Sequence, residues 1–562
     1  MSSLRSAPHT AASLLLLLAS PAFGQSLPRL PSGAEPGRTA PQPVLPQAVP
    51  QGETVELPKS SAIQAPKGSE GFSFTLRDVE IEGATAFSPD DLRPLYAGLV
   101  GQTVTVAEMF KVASDLEVRY RAAGFITTRV IVPPQTIDDG RFRIRVVEGF
   151  VADIVYPDDI GPARAAVASL LDPLRDLRPI NVADVERSLL LAGDLPGMTV
   201  KATLEPSPTA LGGSVIVVHQ ERKAFDASMT FDNRSSPYVG AQEWTANLAW
   251  NGFASHADQL ALIARVSSPV YREWLVLGSY RALLTGDGLM LALQSSFARS
   301  QPGEELDPLQ VHSRVLSEQA TLTYPIIRSR LENLHVFGEF EFRDVLTDFG
   351  PIAFNRDNLR ILRAGLDYDR ADGWNGVTAV RGTVHQGLDI FQATPAGSPL
   401  ASRAFGRAVY TKFTATVTRI QSLADDLSLV TTVAGQISNK PLLASEQFAL
   451  GGPSFARAYD DGEISGDKGW AGSAELRYTV AIPKFVSNGA EFYVYFDGGQ
   501  VWSESRLPLV GGTALTSTGG GVRVNPLENL SASLEADVPL DHEVSTQRNK
   551  AARIFFSVTA RY

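Results

Sequence analysis

From about Ala224 to Tyr562 helical periodicity disappears, and short runs of strictly alternating residues take its place, separated by Gly, Asp, Asn and Pro. In 243–250 the residues Trp244, Ala246, Leu248 and Trp250 share one face, with Glu243, Thr245 and Asn247 on the other. The same pattern recurs at 336–343, 473–480 and 554–562, where Ser473, Glu475, Arg477 and Thr479 form a polar face opposite Ala474, Leu476, Tyr478 and Val480. A period of two places successive side chains on opposite faces of a strand, so one face is apolar and the other polar.

A soluble β-sandwich and a membrane β-barrel both meet that requirement. Two features favour the barrel. The alternation runs on longer than one sandwich needs, and aromatics such as Trp244, Trp250 and Tyr562 stand at the ends of apolar faces, as in an interfacial girdle. A closed barrel leaves no unpaired edge in hydrocarbon. At roughly 21 residues per strand and turn the segment holds about 16 strands. No apolar run approaches the ~18 residues of a spanning helix.

Composition narrows the classes further. Lys and Arg total 50 against 61 Asp and Glu, a net charge of −11, which speaks against a nucleic-acid partner. The chain has no cysteine, so disulfides, thiolate metal sites and cysteine nucleophiles are excluded. Its seven histidines are scattered, and neither a His-Glu-x-x-His nor a Gly-x-Ser-x-Gly motif occurs, so no enzyme and no cofactor is expected.

The region before the barrel divides in four. Residues 1–24 read as a secretory signal peptide: Arg5 in a stretch without acids, an apolar 11–19 broken only by Ser13, then Ala22 and Gly24 before cleavage at Gln25. Residues 25–71 carry nine prolines and read as an extended, semi-rigid linker. Residues 72–149 read as strand 74–82, a short helix opened by Ser88 and Pro89, a helix over 106–123 ended by Gly124, and strands 126–132 and 141–147. The long helix carries Val106, Phe110, Ala113, Leu116 and Tyr120 near helical spacing. Residues 150–223 repeat the order: strand 151–156, helix 162–171, a helix capped by Asn181, then strands 198–204 and 213–219. Two tandem β-α-α-β-β units form an internal repeat with short sheets, whose edges can take up an extended segment.

The segment 450–459 reads Leu-Gly-Gly-Pro-Ser-Phe-Ala-Arg-Ala-Tyr and is followed by a polar run. Asp460, Asp461, Glu463 and Asp467 lack the spacing of an EF-hand loop and read as solvated loop acids. In 491–497 the apolar residues Phe492, Val494 and Phe496 face lipid, so Asp497 faces the lumen, with Gly498 and Gly499 leaving backbone open to close approach. A lumen carboxylate wants a cation, and Arg457 on the glycine-flanked loop has the right charge.

This order of segments resembles the two-partner secretion transporters (TpsB-type, haemolysin secretion/activation proteins), whose paired periplasmic units are polypeptide-transport-associated (POTRA) modules. The family's Val-Arg-Gly-Tyr/Phe loop motif stands here as Ala456-Arg457-Ala458-Tyr459, and its Phe-x-Asp-x-Gly wall motif as Tyr495-Phe496-Asp497-Gly498-Gly499. The resemblance implies a loop folded into the lumen, locked by Arg457, Tyr459, Asp497 and Gly499, with Arg457 paired to Asp497. It also implies an outer-membrane barrel inserted by the barrel-assembly machinery with Tyr562 as C-terminal signal. The expected function is export of a large partner exoprotein, met through its N-terminal secretion domain by the modules. The alternative is a factor that inserts other barrels, a role expected to need more modules.

Overall fold

The computed structural model describes Leu30 and residues 34–37, 63–137, 139–161, 163–254, 257–480, 482, 489–504 and 514–562. The signal-peptide reading and most of the proline-rich linker lie outside the described residues.

The first module is a three-stranded sheet in which Asp78–Glu82 runs parallel to Arg141–Val147, itself antiparallel to Arg129–Ile131. The strand expected over 74–82 is split: Ser73–Thr75 pairs with Thr103–Thr105 instead, and Leu76 is buried between the two pieces. Val106–Ala122 starts at a capping box, in which the Thr105 N–H donates to Glu108 (2.6 Å) and the Glu108 N–H donates back to the Thr105 hydroxyl (3.2 Å). Its buried stripe is Met109, Val112, Ala113, Leu116 and Tyr120. Val106 and Phe110, expected on that stripe, are only half buried, because the core-facing row runs from Met109.

Glu148 ties this module together. Its carboxylate accepts from the N–H groups of Thr85 (2.6 Å) and Ala86 (2.8 Å) and from the Tyr120 hydroxyl (2.7 Å). Burial opposes its charge, but the hydrogen bonds from Thr85, Ala86 and Tyr120 outweigh that and hold the carboxyl below its ordinary range.

The second module has the same topology: Phe150–Val155 parallel to Gly213–Arg222, which is antiparallel to Met198–Pro206. Asn181 joins the two modules. Its side chain caps Val182–Gly193 by accepting from Ala183 N–H (3.0 Å) and donates to the Ala123 carbonyl at the end of the first module's helix (2.9 Å). Gly124 ends that helix at φ +90°, and a Cβ there would lie 2.5 Å from Asn181 Oδ1, so the joint needs glycine twice over.

Sixteen antiparallel strands, from Phe225–Asp232 to Arg553–Arg561, close into a barrel. The last strand pairs with the first, Val558 opposite Phe231. Phe492, Val494, Phe496, Leu534 and Ile554 are exposed on the outer wall, while Tyr493, Tyr495 and Asp497 are buried inside, so alternation sorts lipid from lumen. Trp244 stacks on Phe231 (4.3 Å) and Trp250 on Phe225 (5.6 Å) at opposite ends of one outer face. Because about 9–11 residues cross a bilayer, the 18 residues of Val311–Arg328 and 20 of Ile352–Ala371 extend well past it.

The second module docks on the barrel's periplasmic rim. Arg328 grips Asp194 through both Nε and Nη2 at 2.7 Å, and Arg187 donates to the Pro325 carbonyl (2.7 Å).

Candidate functional site in the barrel lumen

Between Leu427–Ser438 and Lys468–Val480 the chain turns inward as a long loop, stiffened by a hairpin of Phe448–Leu450 with Ile464–Gly466. Its apolar tip packs on the wall: Phe455, Ala456 and Tyr459 bury against Ala471, Val501, Leu515 and Val544. The tip turns at Gly451 (φ +108°), Gly452 (φ +96°) and Ala456 (φ +56°). The left-handed alanine of the motif is therefore Ala456, at a backbone cost of about 1–2 kcal/mol. Ala458, which stands in place of the family glycine, has an ordinary φ and is fully buried.

Arg457 reaches into a nest of carboxylates. Its Nη1 lies 2.6 Å from Glu475 and 3.7 Å from Glu535, and its Nε 3.4 Å from Asp497. Nη2 donates to the Ser473 hydroxyl (3.3 Å), and the guanidinium stacks over the Tyr495 ring at 4.0 Å. Asp497 accepts from the Arg457 backbone N–H (3.3 Å) and from the Ser517 hydroxyl. The tightest ionic partner is thus Glu475 rather than the expected Asp497. Ser473 stands directly opposite Asp497 across the strand pair, which brings Glu475, two residues further along, onto the same inner face. Glu475 also takes Arg477 (2.7 Å) and Arg523 (2.9 Å), so the negative charge is spread over several cations.

Tyr459 accepts at its hydroxyl from the N–H groups of Asp541 (3.1 Å) and His542 (3.2 Å), which couples the tip to the last extracellular loop. A Cβ on Gly499 would sit 2.2 Å from the Trp470 carbonyl and 3.1 Å from Leu450 of the inward loop, so only glycine lets both approach. Tyr562 lies apart from this group. Its N–H donates to Ala227 (2.8 Å), its carbonyl accepts from Lys223 (2.8 Å), and its ring is exposed.

Of the loop acids, Asp461 is exposed as expected and Glu463 half buried, but Asp460 and Asp467 are not solvated. Asp467 is fully buried in a bidentate pair with Arg403 of the neighbouring extracellular loop, and Asp460 meets Arg553 of the last strand at 2.8 Å. Being inside the lumen, they need cations where an outside loop would use water. Glu446 carries a further anchor that the sequence reading missed. It sits on the turn Ala444–Glu446, and its carboxylate meets Lys412 (2.7 Å), Arg343 (3.1 Å), Arg363 (3.7 Å) and the Tyr410 hydroxyl (2.7 Å). The loop therefore crosses the lumen, Glu446 fixed to one wall and Arg457 to another. Among the described residues no acid–histidine cluster is arranged to hold a metal.

A family model described as haemolysin secretion/activation protein ShlB/FhaC/HecB matches residues 212–524. The chain belongs to this family. A second model, the ShlB-type POTRA domain, matches residues 74–149. The heme/hemopexin transporter protein HuxB of Haemophilus influenzae is 22% identical over 519 residues, 89% of each chain. The outer membrane transporter CdiB of Dickeya dadantii is 22% identical over 483 residues, 82% of each. Among solved structures, CdiB from Escherichia coli superposes with a TM-score of 0.74 at 19% identity, covering 89% of this chain and 92% of that one. BamA from Haemophilus ducreyi superposes at 0.51 with 12% identity, covering 87% and 100%, a likeness of fold alone. This chain is an outer-membrane two-partner secretion transporter, with POTRA modules in the periplasm and a lumen loop in its barrel. The barrel-insertion alternative gains nothing from these likenesses.

Proposed function

We propose that the two modules take up the N-terminal secretion domain of a large exoprotein by strand addition, and that the unfolded chain then threads the barrel. Among the described residues, the strands at the sheet edges that offer backbone for this are Asp78–Glu82 in the first module and Phe150–Val155 and Met198–Pro206 in the second; the other edge of the first sheet is covered by Glu117, which accepts from the Val130 N–H (3.1 Å). Edge backbone that no neighbour satisfies gives an extended segment its affinity. Folding outside the cell supplies direction, since no phosphate-binding motif accompanies the barrel.

The loop 439–467 is the lock in this reading. Arg457, Tyr459, Asp497 and Gly499 hold its tip to the wall, and Glu475 strengthens the hold. Tyr562 serves as the C-terminal signal that the barrel-assembly machinery reads before the strands meet lipid, consistent with its exposed ring beside the closing strand pair.

The observation that carries the proposal is the juxtaposition of an ion-paired loop across the lumen with two edge-bearing modules in tandem, the second of them docked on the barrel rim. Deleting residues 72–223 tests it. The expected outcome is a heat-modifiable barrel in the outer membrane that exports nothing; normal export from that truncation would end the proposal.

A further inference from the structure

The outer wall of the barrel is apolar over most of its circumference, but its charges gather in one sector. Phe297, Leu322, Val336 and Leu362 are exposed to lipid, so every second residue counted from them faces outward as well. By that alternation Arg299, Arg314, Arg356 and Arg360 point out of the barrel, on the adjoining strands Met290–Ser300, Val311–Arg328 and Ile352–Ala371. The acids Glu318, Asp344 and Asp348 stand among them on the same face. On the strands outside this sector, among the described residues, the only outward charges are Arg419, held by Asp372 (2.8 Å), and Lys468, held by Glu504.

Part of the sector is balanced within the wall. Arg360 meets Asp344 at 2.8 Å and lies over the Phe342 ring at 3.3 Å, and Glu318 accepts from the Ser295 hydroxyl (2.8 Å). The rest is not balanced. Asp348 is shared by Arg314 (3.2 Å) and Arg356 (3.8 Å), whose side chains are about half exposed. Arg299, also exposed, stands directly opposite Arg314 across the strand pair, with no carboxylate of its own among the described residues. Like charges directly opposite on a sheet face destabilise it.

The height of this pair is set by its neighbours. Val311–Arg328 ends at Arg328 on the second module, so Arg314 lies toward the opposite, extracellular end. Trp274 is the partner of Arg299 on its other side, and its ring rests on Phe297 (5.4 Å). Tryptophan at the end of an apolar face marks the headgroup level of a bilayer. The surplus positive charge therefore sits at the outer interface.

We infer that Arg299 and Arg314, backed by Arg356, bind a phosphate of a phosphorylated glycolipid in the outer leaflet. The site lies on the lipid face of the wall and does not depend on what passes through the lumen. A guanidinium offers phosphate a planar fork of N–H donors. A phosphate set between two of them turns their repulsion into two attractions, at an interface less polar than bulk water. Below the arginines, Phe297, Leu293 and Leu322 continue the same face into hydrocarbon, which fits acyl chains attached to the phosphate-bearing head. A soluble anion would use the arginines alone.

The full chain, purified in a neutral detergent, is tested by native mass spectrometry with phosphorylated lipid A as the probe. Arg299→Ala/Arg314→Ala is expected to weaken binding by about tenfold or more. Stripping the phosphates from the lipid should weaken its binding to the unsubstituted protein as much. Arg299→Lys/Arg314→Lys, which keeps the charge without the fork, should fall between. Arg419→Ala, at the periplasmic end of the wall, should leave binding unchanged. Heat-modifiability reports whether each barrel is folded; if the double alanine form is not, the lysine form and the stripped lipid carry the comparison. Equal binding by the substituted and unsubstituted proteins overturns the site, and so does equal binding of the stripped lipid or no binding at all. Displacement of the lipid by millimolar inorganic phosphate overturns it too, in favour of a site for free anions.

Discussion

Glu475 holds Arg457 at 2.6 Å, closer than the 3.4 Å between Arg457 and Asp497, so the arginine at the loop tip is shared between two neighbouring strands. Asp497 is committed elsewhere as well, to the Ser517 hydroxyl and to the Arg457 backbone N–H. The two carboxylates therefore do different work: one balances charge, the other fixes the tip's backbone.

This division predicts unequal variants. Arg457→Ala takes the paired arginine from buried Asp497, whereas Glu475 keeps Arg477 and Arg523, and losing one member of a buried pair costs on the order of 3–5 kcal/mol. Secretion is expected to fall sharply with barrel insertion intact, and Glu475→Gln to fall further than Asp497→Asn. The double variant Arg457→Ala/Glu475→Gln should be no worse than the worse single one, because the contact is already gone. Secretion and heat-modifiability of the four proteins measure this; additive losses would separate the two residues.

Glu446 is predicted to matter as much as Arg457. Glu446→Gln leaves Lys412 without its carboxylate at 2.7 Å, whereas Arg343 and Arg363 keep Glu341. The loop's base should loosen, and single-channel conductance should rise toward that of a 456–469 deletion. An unchanged conductance would mean that the Arg457 end alone closes the pore.

Two glycines on adjoining strands give a paired test of close packing. A Cβ on Gly499 meets the Trp470 carbonyl at 2.2 Å, but a Cβ on Gly472 finds nothing nearer than 3.8 Å. Gly499→Ala should lower the midpoint of heat-modifiability, by about 1–3 kcal/mol of overpacking strain. Gly472→Ala should leave it in place.

In the first module the low-lying Glu148 carboxyl sets a pH dependence. A carboxyl depressed in the folded state adds stability that is fully present above its unfolded value, about 4.3, and is lost as pH falls through the folded value. The protection of the Thr85 and Ala86 amides, whose N–H groups it accepts, measured as exchange relative to the intrinsic rate at each pH, should therefore stay high at neutral pH and fall in acid. In Glu148→Gln that acid dependence should vanish, with exchange faster at neutral pH.

How much of this the sequence discloses depends on distance along the chain. Strict alternation made the barrel legible and aimed Asp497 inward, because a period of two leaves no other face for it. The same alternation put Glu475 on the polar face of 473–480, so its position was readable, though not its partner. Glu446 was not readable. Its cations lie on three strands, Arg343, Arg363 and Lys412, and only closure of the sheet brings them to one point. Asp460 and Asp467 looked like solvent-facing acids because nothing local distinguishes a loop folded inward from one folded outward. The capping residues Thr105 and Asn181 and the C-terminal Gly124, by contrast, act within one turn of chain, and their helix ends fell where expected.

The Glu446 and Arg457 attachments make the loop a beam clamped at both ends. Freed at the tip, it becomes a cantilever: its far end can swing, but its root stays where Lys412 and Arg403 hold it. A deflected cantilever returns to its seat when the load is removed. A transporter built this way can let a chain pass and reseal without refolding the loop, so the leak it permits lasts only as long as the cargo does.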